Sequence, residues 1–359
     1  MVAQPRLLTI VESYLQESVG PFAAQIDSEP EALRKALQGL GKHGLLALRL
    51  PELWGGAAVS EDTFGTFQEL VARYSGALAF LQTQHQSAAA MLVQSQNESM
   101  ALEYLPHMSK GEVLVGVGFS QLRRAGDPPV KALPVIGGYQ LDGQVPWVTG
   151  FGLFQDFIVG TALPDGQALF GVVPFVETYQ ESVGVIAFSQ PMALAAMTST
   201  NTVTATLKGW FLPQERVVFV KPAGWIHEND KQNVMKSTGL VLGCARAGLD
   251  ILQQAQNTKS LFFIAQAFEA LDRELTACRA AIRQAQQDKS ASLGERLQLQ
   301  AWAIELAVRC AHAAVTVSSG AANYSYHAAQ RVYREALVFT VSGQTTAVME
   351  ATLARLTRF

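Results

Sequence analysis

The sequence has few charged residues, few cysteines and no long uninterrupted hydrophobic run. Charged residues make up only 16% of its 359 residues, and the net charge is −3 without a basic block. Neither nucleic acid nor an anionic membrane surface is therefore an expected partner. No run of about 18 uncharged apolar residues occurs, which argues against a membrane-spanning helix. The N-terminal apolar stretch contains Glu12 and Glu17 and no small-residue cleavage site, so we expect a cytoplasmic protein.

The three cysteines give no sign of a disulfide or a metal site. Cys244, Cys278 and Cys310 lie far apart on helical patterns. Paired cysteines at short spacings, which zinc sites and disulfide frameworks use, do not occur. We interpret the three as core residues and expect no metal.

The apolar pattern divides the chain into three regions. Residues 5–110 show helical spacing, most clearly from Ala77 to Gln94, and helical spacing returns from Trp225 to Phe359 in four long segments, 233–256, 260–288, 291–318 and 326–357. Short apolar runs separated by Gly, Pro, Asn and Asp lie between and predict six to eight strands. A chain this long usually forms more than one core. We predict a mainly α, α+β protein with a helical domain at 1–111, a β-domain at 112–222 and a helical bundle at 223–359.

One β-hairpin pattern points to a flat ligand. Residues 137–150 read GGYQLDGQVPWVTG, with Trp147 and Thr149 two positions apart. On a strand such residues project to one face, so an indole could stack on a heterocycle while a hydroxyl bonds its edge. The pattern also fits an ordinary hairpin with a core tryptophan.

This hairpin resembles a segment of the acyl-CoA dehydrogenase family, G-x-x-L-x-G-x-K-x-W-I-T-N-G. The resemblance extends to residues 48–56 (V-P-E-x-x-G-G in the family), 104–112 (Y-L-P-x-L-x-x-G-E), 210–213 and 331–336 (R-x-x-R-D-A). It implies three parts: an N-terminal helical domain, a middle β-barrel or sandwich domain, and a C-terminal four-helix bundle that forms a dimer or tetramer. It also implies FAD as cofactor.

The resemblance assigns site residues in the middle domain. Phe119 and Ser120 stand where the family binds the flavin's pyrimidine edge, and Trp147 and Thr149 complete the flavin contacts. Gln121 replaces the usual Glu. The loop that follows contributes predicted substrate contacts at Arg123, Arg124 and Gly126. A pair of arginines can hold a phosphate or an anionic substrate, although such a pair in a polar loop is often only solvated.

The C-terminal side of the implied cofactor site is less complete. Gly320 lies in a small-residue segment that would approach the pyrophosphate, and Thr345 begins the last helix, whose amides would face the cofactor. The family's R-x-x-F-G, whose Arg binds the pyrophosphate across the dimer, is missing, and Lys259 is the only cation nearby. FMN, loosely bound FAD or no flavin are therefore open alternatives.

The catalytic base is unassigned. Removing the α-proton of a thioester requires a carboxylate within hydrogen-bond reach. The two positions at which the family carries Glu correspond here to Gly343, with a one-residue uncertainty, and Thr238. His85 is a weak substitute, because a lone histidine on an apolar helix face is usually a core residue.

The sequence therefore predicts a flavin-dependent oxidoreductase that acts on an acyl-CoA or acyl-carrier thioester, or a related small substrate. One alternative is a monooxygenase of the same fold that receives reduced flavin from a separate reductase. The other is a non-catalytic binding or assembly protein. The loss of both glutamates favours the non-catalytic protein, and the retention of Trp147 and Thr149 argues against it.

Overall fold

The computed structural model describes residues 4–180, 184–288 and 290–357. Helices form the N-terminal part: α1 Gln4–Tyr14, α2 Ala23–Ser28, α3 Pro30–Lys42, α4 Glu61–Tyr74, α5 Gly76–Leu92 and α6 Glu98–Met108. Three of these helices have a serine or an asparagine as the N-cap residue. The side chains of Ser60, Ser75 and Asn97 accept backbone N–H bonds at the starts of α4, α5 and α6.

A nine-stranded sheet follows, rather than the six to eight strands predicted. Its strands are β1 Val115–Gly118, β2 Val130–Val135, β3 Gly138–Val148, β4 Asp156–Ala162, β5 Ala168–Pro174, β6 Thr178–Tyr179, β7 Val185–Phe188, β8 Val203–Pro213 and β9 Val217–Lys221. The strand order is β6-β7-β8-β3-β2-β4-β5-β9, and β1 pairs in parallel with β4. The turn after β1 is thereby held beside the sheet.

Helices complete the chain: α7 Trp225–Gln232, α8 Thr238–Lys259, α9 Phe262–Gln287, α10 Leu293–Ser318, α11 Ala328–Val341 and α12 Thr346–Thr357. The segment predicted at 326–357 is divided into α11 and α12. Gly343 lies in the turn between them with φ +69°, a left-handed conformation that an L-residue adopts only with strain. The helix–strand–helix order matches the sequence prediction. The boundaries at 111 and 222 remain predictions.

Close helix packing places α4 against α8. A Cβ added at Gly243 would lie 2.3 Å from the Glu69 carbonyl oxygen, and one at Gly248 would lie 2.7 Å from the Cys310 backbone. Only glycine permits these approaches, because a methyl group would overlap backbone atoms that cannot move aside. α8 is consequently held between α4 and α10.

The burial of the three cysteines agrees with their interpretation as core residues. Cys244, Cys278 and Cys310 are free thiols in the core. Among the described residues, no helix is long and apolar enough to cross a membrane. The same part of the chain contains no group of three or more His, Cys, Asp and Glu side chains arranged to hold a metal.

Candidate functional site

A cavity of about 230 Å³, called the central cavity below, lies where the three regions meet. α5 contributes one face, with Phe80, Thr83, Gln84 and Ser87 recurring at helical spacing. α4, the turn after β1, the α7–α8 connection and the turn before α12 supply the other walls. Four of the predicted site residues line the cavity, and they come from two distant parts of the sequence: Phe119, Arg123, Gly343 and Thr345.

The remaining flavin contacts predicted in the middle domain lie outside the lining of the central cavity. Ser120 is exposed beside Phe119, and Trp147 near the end of β3 is 50% exposed. Thr149 is buried, and its hydroxyl lies 3.0 Å from the Thr202 hydroxyl. The two-residue alternation that predicted a common face for Trp147 and Thr149 does not apply, because β3 ends at Val148 and Thr149 follows the strand.

Gln121 has a structural role at the position of the family's Glu. Its side chain is buried, and Nε2 donates to the carbonyl oxygens of Gly118 at 3.1 Å and Gly160 at 2.7 Å. These bonds tie the turn after β1 to β4. Phe119 is thereby held at the edge of the central cavity.

The structure separates Arg123 and Arg124, the two arginines that the sequence suggests as a pair for one anionic ligand. Arg123 makes a two-bond ion pair with Asp230 of α7, with Nε–Oδ2 and Nη2–Oδ1 distances of 2.8 Å each. Arg124 lines a different cavity of about 510 Å³, between the sheet and α7. Gly126 is exposed with φ +89°. Arg123 and Arg124 are therefore not arranged to bind one anion together.

The bundle side offers little to hold a pyrophosphate. The connection between α8 and α9 consists of Ser260 and Leu261 alone. The Lys259 ammonium donates to the Val317 carbonyl oxygen at 2.5 Å. Gly320 is exposed in the turn after α10, and the Thr345 hydroxyl accepts a bond from the Val348 N–H at the start of α12.

The two positions considered for a catalytic carboxylate differ in placement. Gly343 lines the central cavity, and a Cβ there would have no atom within 4 Å. Thr238 is buried, donates its hydroxyl to the Met235 carbonyl at 2.7 Å and is absent from the described lining of the cavity. Among the described lining residues, Asp230 is the single carboxylate, and the sequence did not identify it.

His85 is a core residue and not a catalytic base. Its Nδ1 accepts a bond from the Val115 N–H and its Nε2 donates to the Met108 carbonyl, both at 3.0 Å. Because a backbone N–H must donate and a carbonyl must accept, the ring is neutral with its proton on Nε2. Burial lowers the pKa of His85 to about 4. The weak catalytic assignment is therefore corrected: His85 joins α5 to α6 and β1.

Comparisons with known proteins agree on one family. The model of the acyl-CoA dehydrogenase N-terminal domain matches residues 3–112. An acyl-CoA dehydrogenase of Bacillus subtilis is 22% identical over 177 residues, 48% of this chain and 47% of that protein. A probable acyl-CoA dehydrogenase of the same organism is 20% identical over 98% of this chain and 97% of its own length. The chain spans 36% to 60% of the first four curated relatives that it matches.

The fold is that of solved acyl-CoA dehydrogenases. A glutaryl-CoA dehydrogenase of Mycobacterium smegmatis, solved in complex with FADH2, is similar with a TM-score of 0.83 at 13% identity. The match covers 99% of this chain and 95% of that chain. The predicted fold class is confirmed.

The environment of His85 generates a testable dependence of stability on pH. The pKa of His85 falls from about 6.5 in the unfolded chain to about 4 in the folded protein. Above pH 6.5 the ring is neutral in both states, and its contribution to stability is fully present. This stabilisation is lost as pH falls from 6.5 to 4, because the unfolded chain takes up the proton first. For each pH unit in this range, the unfolding free energy of the wild type should fall by up to about 1.4 kcal/mol more than that of His85→Gln. Denaturant unfolding at pH 7 and pH 5 measures this, and parallel pH profiles would contradict it.

Proposed function

We propose that the chain belongs to the acyl-CoA dehydrogenase family and that it is a flavin-dependent oxidoreductase acting on the CH–CH bond of an acyl thioester or related small substrate. The observation that carries the proposal is the convergence of Phe119 and Arg123 with Gly343 and Thr345 on the central cavity. The family resemblance assigned these residues to cofactor, substrate and base, and they are more than 200 positions apart in the sequence.

Trp147 and Ser120 support the proposal of an isoalloxazine site in the middle domain. The half-exposed indole of Trp147 offers a flat apolar surface, and the exposed Ser120 offers a hydroxyl. Thr149 has one hydroxyl bond, to Thr202, and keeps the capacity for another. A bound flavin would supply the two-electron acceptor for a hydride leaving the substrate. Since Lys259 is already engaged with Val317, we propose FAD held mainly through its ring, with FMN as the alternative.

Replacing Trp147 with Ala should lower flavin affinity about tenfold, because aromatic stacking contributes roughly 0.5–1.5 kcal/mol beyond area burial. Trp147→Phe keeps an aromatic face and should lose less. Titration of FAD and FMN, followed by flavin fluorescence, measures both variants. A wild-type protein that neither quenches added flavin nor gains melting temperature from it would reject the cofactor proposal.

No free carboxylate for α-proton removal is found among the described lining residues of the central cavity. Both oxygens of Asp230 accept bonds from Arg123, and the resemblance assigns the position of the family's Glu to Gly343. We therefore propose that ordinary α,β-dehydrogenation is slow in this protein. The left-handed turn at Gly343 would cost an added side chain roughly 1–2 kcal/mol of strain, although the space around it is open.

Gly343→Glu should raise dye reduction with saturated acyl-CoA thioesters, since a general base contributes about 10²–10⁴-fold. Gly343→Gln has nearly the same size without the base and is the matched control. Ser342→Glu tests the neighbouring lining position, whose φ of −70° suits any residue. Rapid dye reduction by the unmodified protein would show that another group removes the proton.

A flavin-dependent monooxygenase is the second candidate. The short connection between α8 and α9, together with Lys259 bonded to Val317, favours a cofactor that binds loosely and arrives reduced from another protein. Substrate-dependent oxygen uptake with a flavin reductase present would support this candidate over the first.

We also propose a homodimer or homotetramer formed through the C-terminal bundle. The bond from Lys259 to Val317 brings the α8–α9 connection to the end of α10. Large exposed side chains follow both segments: Leu261, Phe262, Phe263, Tyr324 and Tyr326. Exposed apolar groups gathered at one end of a bundle are typical of a protein contact.

The double variant Phe262→Gln, Phe263→Gln should form a smaller particle than the wild type in light scattering, because it removes two apolar contacts. Leu53→Gln changes an equally exposed residue outside the bundle and should leave the size unchanged. A full-sized double variant would place the subunit contact elsewhere.

A further inference from the structure

We propose that the central cavity binds a carboxylate on the acyl group of the substrate, held by Arg49 and Gln68, with Lys236 beside them. The substrate class would then be a short acyl thioester with an anionic end, such as a dicarboxylic monothioester. The inference rests on the proposed function, because it names the substrate of the same cavity.

The charges of the cavity lining do not balance. Its charged members are Arg49, Arg123, Lys236 and Asp230. The two-bond ion pair between Arg123 and Asp230 compensates one cation. Arg49 and Lys236 remain, and the carboxylate near them is that of the largely exposed Glu61, which is not among the described lining residues. An anionic ligand would supply the missing charge.

Arg49 has an unused pair of donors. Its Nη1 is 3.4 Å from a carboxylate oxygen of Glu61, which is 78% exposed, so this ion pair is weak. Its Nε and Nη2 are buried and have no partner among the described residues. Buried donors without partners are costly, which makes this guanidinium a site that a ligand acceptor would stabilise.

Other arginines of this protein show what these two nitrogens bind. Arg73 and Arg123 both use Nε and Nη2 to hold a carboxylate, that of Asp250 and Asp230 respectively. The planar fork matches the two oxygens of a carboxylate. In Arg49 the guanidinium carbon lies 4.2 Å from the centre of the Phe64 ring, a contact that orients the fork.

Gln68 supplies a third unused donor one helical turn from Phe64. The residue is 4% exposed and lines the cavity, and its Nε2 has no partner among the described residues. The orientation of its amide is determined by Gln82, whose Nε2 donates both to the Ala79 carbonyl and to Gln68 Oε1. Side chains four residues apart on a helix are neighbours. Gln68 and the Arg49–Phe64 stack therefore lie on one face of α4.

The rest of the lining suits a small polar group better than a fatty chain. Amide and hydroxyl side chains supply much of it, including Thr83, Gln84 and Ser87. The volume of about 230 Å³ is below the roughly 300–1,000 Å³ of pockets for drug-sized ligands. The Lys236 side chain still reaches solvent. Partial removal of its ammonium from water, together with the nearby Arg49 charge, lowers the pKa of Lys236. A carboxylate between the two cations would offset their repulsion.

Glutaryl-CoA and valeryl-CoA provide the test, because they share carrier and chain length and differ only in a terminal carboxylate or methyl group. Calorimetric Kd values for the protein as purified should favour glutaryl-CoA by about 10- to 100-fold, the range expected of charge-assisted hydrogen bonds. Arg49→Gln should abolish the preference. Arg49→Lys, which keeps the charge without the fork, should retain part of it. Arg273→Gln removes an exposed arginine of α9 and should change nothing.

A second measurement does not depend on the carrier. Free glutarate should raise the melting temperature of the wild type but not of Arg49→Gln, with sodium chloride at equal ionic strength as control. Equal affinity for the two thioesters, or a preference that survives Arg49→Gln, would overturn the proposal. If neither thioester binds, the thioester substrate is rejected, and the glutarate shift decides whether the carboxylate site exists. Flavin titration reports on the proposed cofactor separately from both.

Discussion

A buried network of ion pairs fixes the three regions relative to one another and thereby positions the walls of the central cavity. The fully buried carboxylate of Glu335 accepts bonds from Arg331 Nη1 at 2.6 Å and from the Gly76 N–H at 3.1 Å, which attaches α11 to the first residue of α5. Burial raises the pKa of Glu335, and the adjacent Arg331 lowers it. Removing one member of such a pair leaves an uncompensated charge in the core, typically at a cost of about 3–5 kcal/mol.

A second ion pair extends the same junction to the sheet. Arg334 lies 2.9 Å from Asp27 Oδ2, while Asp27 Oδ1 accepts a bond from the Met197 N–H at 2.7 Å. α2, α11 and the segment before β8 thus meet at one carboxylate. The bond from the Gly76 N–H to Glu335 fixes α5 relative to α11. The lack of a side chain at Gly243 lets α8 pack closely against α4. The cavity walls are therefore positioned by contacts outside the cavity, which leaves the lining free to carry donors that have no partner among the described residues.

The chemistry of the site reflects that freedom. A stacking surface remains at Trp147, the resemblance assigns the base position to Gly343, and the only carboxylate of the described lining, Asp230, is bound to Arg123. Unused donors concentrate instead at Arg49 and Gln68. These features together favour a protein in which flavin and a small anionic acyl group are held, with proton removal as the weak step.

Local pattern was sufficient for much of the architecture. Helical spacing and short apolar runs are set by neighbouring residues, so the helix–strand–helix order was predictable, although the number of strands was not. Family motifs indicated Phe119 and Gly343, which the structure brings to one cavity. They also indicated Thr238, which donates to the Met235 carbonyl and lies outside the described lining, because the tertiary structure decides where a side chain at a helix start points.

The sequence by itself determined the order of helices and strands and the hairpin that carries Trp147, and it placed Gly343 where the resemblance implies a glutamate, since each is written in adjacent residues. Only the tertiary structure decided which polar groups are satisfied. His85 receives both of its partners from distant backbone, while the Arg49 fork and Gln68 Nε2 receive none in the described chain. Whether a buried donor finds an acceptor depends on contacts between segments far apart in sequence, and no local pattern encodes them.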